Sequence, residues 1–214
     1  MASEIFDDKT KANRRAWNAR RYEAWVSAFG GPEAAAQRIA SDPKHVLRRL
    51  LPYLGSVADR RVCSVQGSHG RVAVALGHLG ANVVVIDFSE DNRRYALELG
   101  ILHYHQNLNR FFKVMRELAD DDGTLLLNEF HPVQRKLYWP DGPQHYFHAD
   151  LIEADVPNPV KDGESLGTCS YRFWTMGEIV TAVVNAGFTI ERPDEHPDWL
   201  DPTIPGSFTL VART

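Results

Sequence analysis

The sequence predicts an α/β fold built around a mostly parallel sheet. Two short β-prone runs, Arg61–Val65 and Asn82–Ile86, flank a predicted helix at residues 71–79. The second run, NVVVI, is apolar without interruption, which is typical of a parallel strand buried on both faces. A further helix predicted from Glu90 to Leu99 completes a β–α–β–α unit.

The first 55 residues are predicted to form a helical N-terminal extension. Residues 9–29 have aromatic side chains at helical spacing, and Pro32 suits the first turn of a second helix. The segment 41–43 is typical of an N-cap, and a third helix is predicted from Lys44 to about Leu54.

The rest of the predicted core follows residue 100. Its elements are a helix at 108–118, a strand at 124–128, a helix at 174–185 capped by Thr175 and closed by Gly187, and strands at 189–192 and 207–213. Residues 131–172 have little periodicity and are interpreted as an irregular cap. We therefore expect residues 1–214 to form one domain, with its core at 61–130 and 173–214.

Composition excludes several classes of protein. A chain of 214 residues that is 43% hydrophobic suits one domain. The net charge of -4 argues against a protein whose main partner is nucleic acid. Two cysteines are too few for a disulfide framework. No apolar run approaches the roughly 20 residues that span a bilayer, and we expect a cytoplasmic protein that does not bind a membrane.

Three stretches resemble class I S-adenosylmethionine-dependent methyltransferases. VCSVQGSHGRVAVALGHLGANVVVID, at 62–87, is similar to their first cofactor motif. YRFWTMGEIVTAVVNAGFTIER and PGSFTLVART, at 171–192 and 205–214, resemble the late helix and last two strands of the type 11 group. The resemblance implies a Rossmann-like three-layer sandwich with an antiparallel last strand. It also implies S-adenosylmethionine as the cofactor and a small-molecule methyl acceptor.

The glycine turn of the first motif has a physical rationale. Gly67 and Gly70 remove side chains, so that the backbone can approach a ligand closely. The helix that follows points its N-terminus at that ligand, and the Asp87 carboxylate can accept hydrogen bonds from ribose hydroxyls. The residues implied to contact the cofactor are Tyr22, Gly67, Ser68, His69, Gly70, Asp87, Phe88, Ser89, Leu102 and His103.

Other interpretations of these residues stay open at this point. A nicotinamide dehydrogenase would need G-x-G-x-x-G, but Val65 stands at the first glycine position. A glycine turn that only packs a helix on a strand is a second alternative. For Tyr22, the alternative is core packing with Trp17 and Trp25.

Histidines dominate the predicted substrate side. His131 follows the strand at 124–128 and is a candidate general base, because an imidazole titrates near neutral pH. The residues predicted to contact the methyl acceptor are His103, Tyr104, His145 and Tyr146. His145 and His148 lack a recognisable metal-ligand spacing, so no metal site is predicted. A solvated, histidine-rich loop is the alternative for this segment.

One unit of the family pattern is missing from the sequence. Relatives continue after the helix at 90–99 with a strand, a helix and another strand, roughly 30 residues, whereas here Gly100 leads directly into Ile101. The unit is either absent from the protein or left out of the sequence as given. If it is absent, we expect Arg61–Val65 to pair directly with Thr124–Asn128 or to leave backbone groups unpaired. Either outcome would compromise the cofactor site, so a non-catalytic relative of the methyltransferases is the alternative function.

Overall fold

The computed structural model describes residues 8–18, 26, 30–65, 70–86, 101–157 and 163–214. The chain divides into two compact units. The first unit comprises Met1–Glu98 and Glu153–Ser170. The second unit comprises Leu99–Ile152 and Tyr171–Thr214. Among the described helices, none is long and apolar enough to cross a bilayer.

The first unit begins with the predicted helices. They are α1 (Asp8–Asn18), α2 (Pro32–Ser41), α3 (Pro43–Leu47) and α4 (Leu51–Leu54). The Asp42 side chain caps α3 by accepting the N–H of His45 at 2.9 Å, as the sequence predicts for this segment. The single helix predicted from Lys44 to Leu54 is wrong, because Pro52 lacks the N–H that would continue the hydrogen-bonding ladder.

A parallel β–α–β unit follows in the first unit. Strands β1 (Arg61–Val65) and β2 (Asn82–Ile86) flank α5 (Arg71–His78), and β1 pairs with β2 in parallel from Arg61↔Asn82 to Val65↔Ile86. Both strands have the predicted bounds. The core of this unit contains Leu47, Val57, Ala75 and Leu76.

The expectation that the second strand is buried on both faces is wrong. Val83 packs against the helical core of the first unit. Its neighbour Val84 is 61% exposed and points to the opposite face, because successive side chains of a strand alternate between faces. In the described part of the first unit, therefore, β2 is covered on one face.

The segment predicted to be irregular contains regular structure. A π-helical turn spans Gln134–Tyr138, and strands β4 (Ile152–Pro157) and β5 (Ser165–Tyr171) pair with each other. The strand pair was missed because a two-stranded sheet can leave many side chains exposed, and its sequence then lacks an apolar period.

The second unit contains the remaining elements. They are a short 3-10 turn at Leu102–Tyr104, α6 (Leu108–Leu118), β3 (Thr124–Phe130), α7 (Met176–Asn185), β6 (Thr189–Pro197) and β7 (Pro205–Arg213). The sheet order is β3–β7–β6, and β7 runs antiparallel to both neighbours. The α/β class and the antiparallel last strand are thus confirmed.

The described strands form three sheets rather than one. In the described residues, β1 pairs with β2 and β3 pairs with β7, so the direct pairing of Arg61–Val65 with Thr124–Asn128 is not present. Whether the backbone groups on the other edge of β1 have partners stays open, because residues 66–69 and 87–100 lie outside the described residues. The junction at Gly100 lies outside the described residues.

Candidate functional site

Gly70 is the described part of the predicted glycine turn. Its backbone is left-handed, with φ 72° and ψ 10°, and it is the N-cap of α5. Among the described residues, and apart from its chain neighbours, no heavy atom would lie within 4 Å of a Cβ placed at Gly70. The other predicted cofactor residues of the first unit lie outside the described residues: Tyr22, Gly67, Ser68, His69, Asp87, Phe88 and Ser89.

The N-terminus of α5 can receive a hydrogen-bond acceptor. The first intrahelical bond runs from the Val74 N–H to the Gly70 carbonyl oxygen at 2.7 Å, so the N–H groups of residues 71–73 have no acceptor within the helix. No side chain in the described part of the chain caps this end. Because α5 follows the carboxyl end of β1, these donors lie where parallel sheets bind ligands.

In the second unit, a buried carboxylate binds the backbone of the turn at 101–104. Glu129, at the end of β3, is 3% exposed. Its Oε2 atom accepts the N–H groups of Ile101 at 2.7 Å and Leu102 at 2.9 Å, and Oε1 accepts the N–H of Phe130 at 2.7 Å. Burial raises the pKa of Glu129, and the three hydrogen bonds oppose that rise.

Two further hydrogen bonds hold the carbonyl side of the same turn. The indole Nε1 of Trp174 donates to the carbonyl oxygen of Leu102 at 2.9 Å. The backbone N–H of Arg172 donates to the carbonyl oxygen of His103 at 2.8 Å. Both backbone polar groups of Leu102 are therefore hydrogen-bonded, as is the carbonyl oxygen of His103; both are predicted cofactor residues.

The His103 imidazole lies among aromatic rings. Its centroid is 4.0 Å from that of Tyr104, 6.0 Å from that of Phe173 and 6.2 Å from that of Tyr171. Burial, assisted by the charge of Arg135, lowers the pKa of His103 to about 3. The ring is therefore neutral at pH 7 and is a weak base.

His131, the predicted general base, is buried with both ring nitrogens in contact with protein atoms. The Val133 N–H donates to Nδ1 at 3.1 Å, so a neutral ring carries its proton on Nε2. Nε2 lies 2.7 Å from Oε1 of Glu195, without the alignment of a hydrogen bond. Burial lowers the pKa of His131, and Glu195 opposes that shift. In this conformation Nδ1, the nitrogen of the neutral ring that could accept a proton, already accepts the Val133 N–H.

The two predicted substrate residues of the cap have different surroundings. His145 is exposed. The Tyr146 hydroxyl accepts the N–H of Met176 at 3.1 Å and so contacts the first turn of α7. Among the described residues, no group of three His, Cys, Asp or Glu side chains is placed to hold a metal ion.

Lys136 is a buried cation that sequence reasoning missed. Its Nζ atom donates to the carbonyl oxygens of His148 at 2.6 Å and Phe173 at 2.8 Å. Burial lowers the pKa of Lys136. Lysine is almost never fully buried, so no pattern in the sequence indicated that this side chain points inward from the π-helical turn.

An open groove of about 570 Å³ lies between the starts of α6 and α7. Its volume is in the range of small-molecule sites. Polar and charged residues line much of it: Gln106, Asn107, Asn109, Arg172, Thr175 and Glu178. The Arg172 guanidinium stacks 4.0 Å from the Trp174 ring and contacts a Glu178 carboxylate oxygen at 2.5 Å, so its charge is paired within the chain.

No family model matches this sequence, and no curated protein sequence matches it. Several solved structures are similar to it. A methyltransferase from Mesorhizobium loti is 17% identical, with a TM-score of 0.54, covering 82% of this chain and all of its own. The CcbJ methyltransferase of Streptomyces caelestis is 17% identical, with a TM-score of 0.55, covering 98% of this chain and 99% of its own.

Magnesium protoporphyrin IX methyltransferase (ChlM) from Synechocystis, solved with bound SAH, is a third similar structure. It is 17% identical, with a TM-score of 0.54, and the match covers 97% of this chain and 99% of that enzyme. At this identity the likeness concerns the fold. The chain shares the Rossmann-like α/β fold of S-adenosylmethionine-dependent methyltransferases.

Proposed function

We propose that this chain transfers a methyl group from S-adenosylmethionine to a small-molecule acceptor. The observation that carries the proposal is the left-handed Gly70 between β1 and α5, where the described residues leave the place of a side chain open. The shared fold supports it, as does the presence of SAH and SAM in two solved structures of ChlM.

The described residues fit such a cofactor. The N-terminus of α5, which no described side chain caps, offers backbone donors, and the described residues leave the space beside Gly70 open to a ligand. The resemblance assigns the remaining contacts to the other residues of the glycine turn, to Asp87–Ser89, to Tyr22, and to Leu102 and His103. The bound cofactor would supply an electrophilic methyl group, and the chain's task is to hold the acceptor in line with it.

The acid–base properties of the second unit favour an acceptor that is already nucleophilic. Burial lowers the pKa of both His103 and His131, so each is a weaker base than a free imidazole. The Nδ1 atom of His131 is also occupied by the Val133 N–H. Catalysis would then depend on proximity more than on proton removal. A general-base role for His131, and acceptor contacts by Tyr104, His145 and Tyr146, stay predictions.

Calorimetric titration of the full chain with S-adenosylmethionine tests the proposal. We expect the wild type to bind, and a loss of affinity of about tenfold or more for Gly70→Ala, because the added Cβ enters the proposed ligand space. Micromolar affinity of the wild type would contradict the expectation that the missing strand–helix–strand unit compromises the site. Gly80→Ala is the matched control. Gly80 lies at the other end of α5, is also left-handed at φ 90°, and lines no described site.

Both variants carry a similar backbone penalty of about 1–2 kcal/mol, since left-handed alanine is strained. If the two variants lose affinity equally, the loss would result from reduced stability, and Gly70 would no longer support the proposal. A folded wild type that binds neither S-adenosylmethionine nor SAH would overturn the proposal in favour of a non-catalytic relative. If the wild type does bind S-adenosylmethionine, a panel of small-molecule acceptors can be tested for the release of SAH, which would identify the substrate.

A further inference from the structure

We propose that Glu129 is the positioning residue for the turn at 101–104, and that it sets the affinity for the cofactor through the backbone N–H groups of Ile101 and Leu102. This inference rests on the proposed function, in which Leu102 and His103 border the cofactor. Glu129 itself touches no reacting atom and acts through the turn.

The hydrogen bonds of Glu129 require a carboxylate. One oxygen, Oε2, accepts two consecutive N–H groups, and the other accepts the N–H of Phe130. All three partners are donors, and an ionised carboxylate is an acceptor only. A glutamine amide would place its NH₂ group against at least one of these donors, so the isosteric amide cannot reproduce the arrangement.

The hydrogen bonds of Glu129 help to offset the cost of burying its carboxylate. An ionised carboxylate is costly to remove from water unless it is paired or hydrogen-bonded, and Glu129 is 3% exposed. The Arg135 guanidinium and the His103 imidazole line the same small cavity, which has room for about one water molecule. Arg135 supplies a favourable charge, while two of the three hydrogen bonds to Glu129 come from the turn.

Loss of the carboxylate would free one side of the turn. The bonds from Trp174 and from the Arg172 backbone hold the carbonyl oxygens of Leu102 and His103. They do not restrain the N–H groups of Ile101 and Leu102. Because rigid placement of binding groups lowers the entropy cost of binding a ligand, a loosened turn should bind the cofactor more weakly.

Glu129→Gln, made in the full chain, tests this inference with two measurements. The first is residue-resolved amide hydrogen exchange without ligand, for which we expect at least about tenfold faster exchange at Ile101 and Leu102. The second is calorimetric affinity for S-adenosylmethionine, for which we expect a loss of about tenfold. Glu191→Gln is the control, because Glu191 is an exposed carboxylate of β6 that pairs with Arg213 at 3.0 Å. It should behave as the wild type in both measurements.

The outcomes are distinguishable. Wild-type exchange and affinity in Glu129→Gln would overturn this inference and leave the proposed function standing. Absence of binding to the wild type would overturn the proposed function and, with it, the role assigned to Glu129. Should Glu129→Gln fail to fold, Glu129→Asp keeps the negative charge and shortens its reach by one methylene. Faster exchange with weaker binding in that variant supports the inference, and unchanged values overturn it.

Discussion

The side-chain amide of Asn13 pairs with both backbone polar groups of Ser170. Nδ2 of Asn13 donates to the Ser170 carbonyl oxygen at 2.7 Å, and the Ser170 N–H donates to Oδ1 of Asn13 at 2.7 Å. Both residues are buried. Within the first unit, a side chain of α1 thus occupies the position that a neighbouring strand would take beside β5, and attaches the helix to that strand.

Asn13→Ala should therefore destabilise the first unit. The substitution leaves the N–H and C=O of Ser170 buried without partners, at a cost of about 1–3 kcal/mol for each group. We expect the free energy of unfolding, measured in urea, to fall by about 2–4 kcal/mol. Arg15→Ala removes an exposed side chain from the same helix and should change it by less than about 0.5 kcal/mol. Equal effects of the two substitutions would contradict this account.

Thr175→Ala should weaken the start of α7. The Thr175 hydroxyl accepts the Glu178 N–H at 3.2 Å, and the Glu178 carboxylate accepts the Thr175 N–H at 2.8 Å, forming a capping box. Loss of an N-cap costs about 1 kcal/mol, which urea unfolding can resolve. Thr181→Ala, at an exposed position of the same helix, is the control. It should be neutral or slightly stabilising, because alanine has the higher helix propensity.

Two half-buried histidines of the second unit, His103 and His105, predict a loss of stability in acid. Burial lowers the pKa of His103 to about 3 and that of His105 to about 4, whereas the pKa of a histidine in the unfolded chain is about 6.5. Between these values the unfolded chain binds more protons, so the free energy of unfolding falls as the pH drops. The slope is at most about 1.4 kcal/mol per pH unit for each histidine.

Glu129 acts in the opposite direction. The pKa of Glu129 is raised in the folded state. Above the pKa of the unfolded state, the native chain therefore binds more protons, and the contribution of Glu129 to stability increases as the pH falls.

Urea unfolding at pH 7 and at pH 5, with His103→Gln compared to the wild type, separates the effect of His103 from that of Glu129. The variant should lose less stability in acid, whereas His145→Gln, at an exposed position, should retain the wild-type difference. Identical pH dependence in all three proteins would refute the role of His103.

Phe112→Ala should open a cavity in the second unit. Phe112 is fully buried on α6, with its ring 5.0 Å from that of Phe111 in an edge-on contact. Removal of a buried phenylalanine ring typically costs about 3–5 kcal/mol. Thermal and urea unfolding should both report a loss of that size. Val114→Ala removes exposed apolar surface from the same helix, and a comparable loss there would indicate that burial is not the cause.

Local features of the sequence predicted much of the regular structure. The bounds of β1 and β2 follow from apolar runs that end at turn residues, and the cap at Thr175 follows from a hydroxyl residue before a helical period. The pair β4–β5 was missed, because exposed strands have no apolar face to produce a period. The exposure of Val84 was also missed, because a strand sequence does not reveal which layers cover it.

In the candidate site, too, local sequence predicts some features and tertiary contacts decide the others. By itself, the sequence placed Gly70 at the bend before α5, where the structure has it left-handed at φ 72°, because such a conformation favours glycine and depends on neighbouring residues. Tertiary structure alone decided the hydrogen-bond partners of Glu129 and Lys136. The partners of Glu129 at Ile101 and Leu102 are 28 and 27 residues away in sequence, and those of Lys136 are 12 and 37 residues away. Hydrogen bonds over such separations exist only once the chain has folded, because no local pattern encodes which backbone group a buried charge will meet.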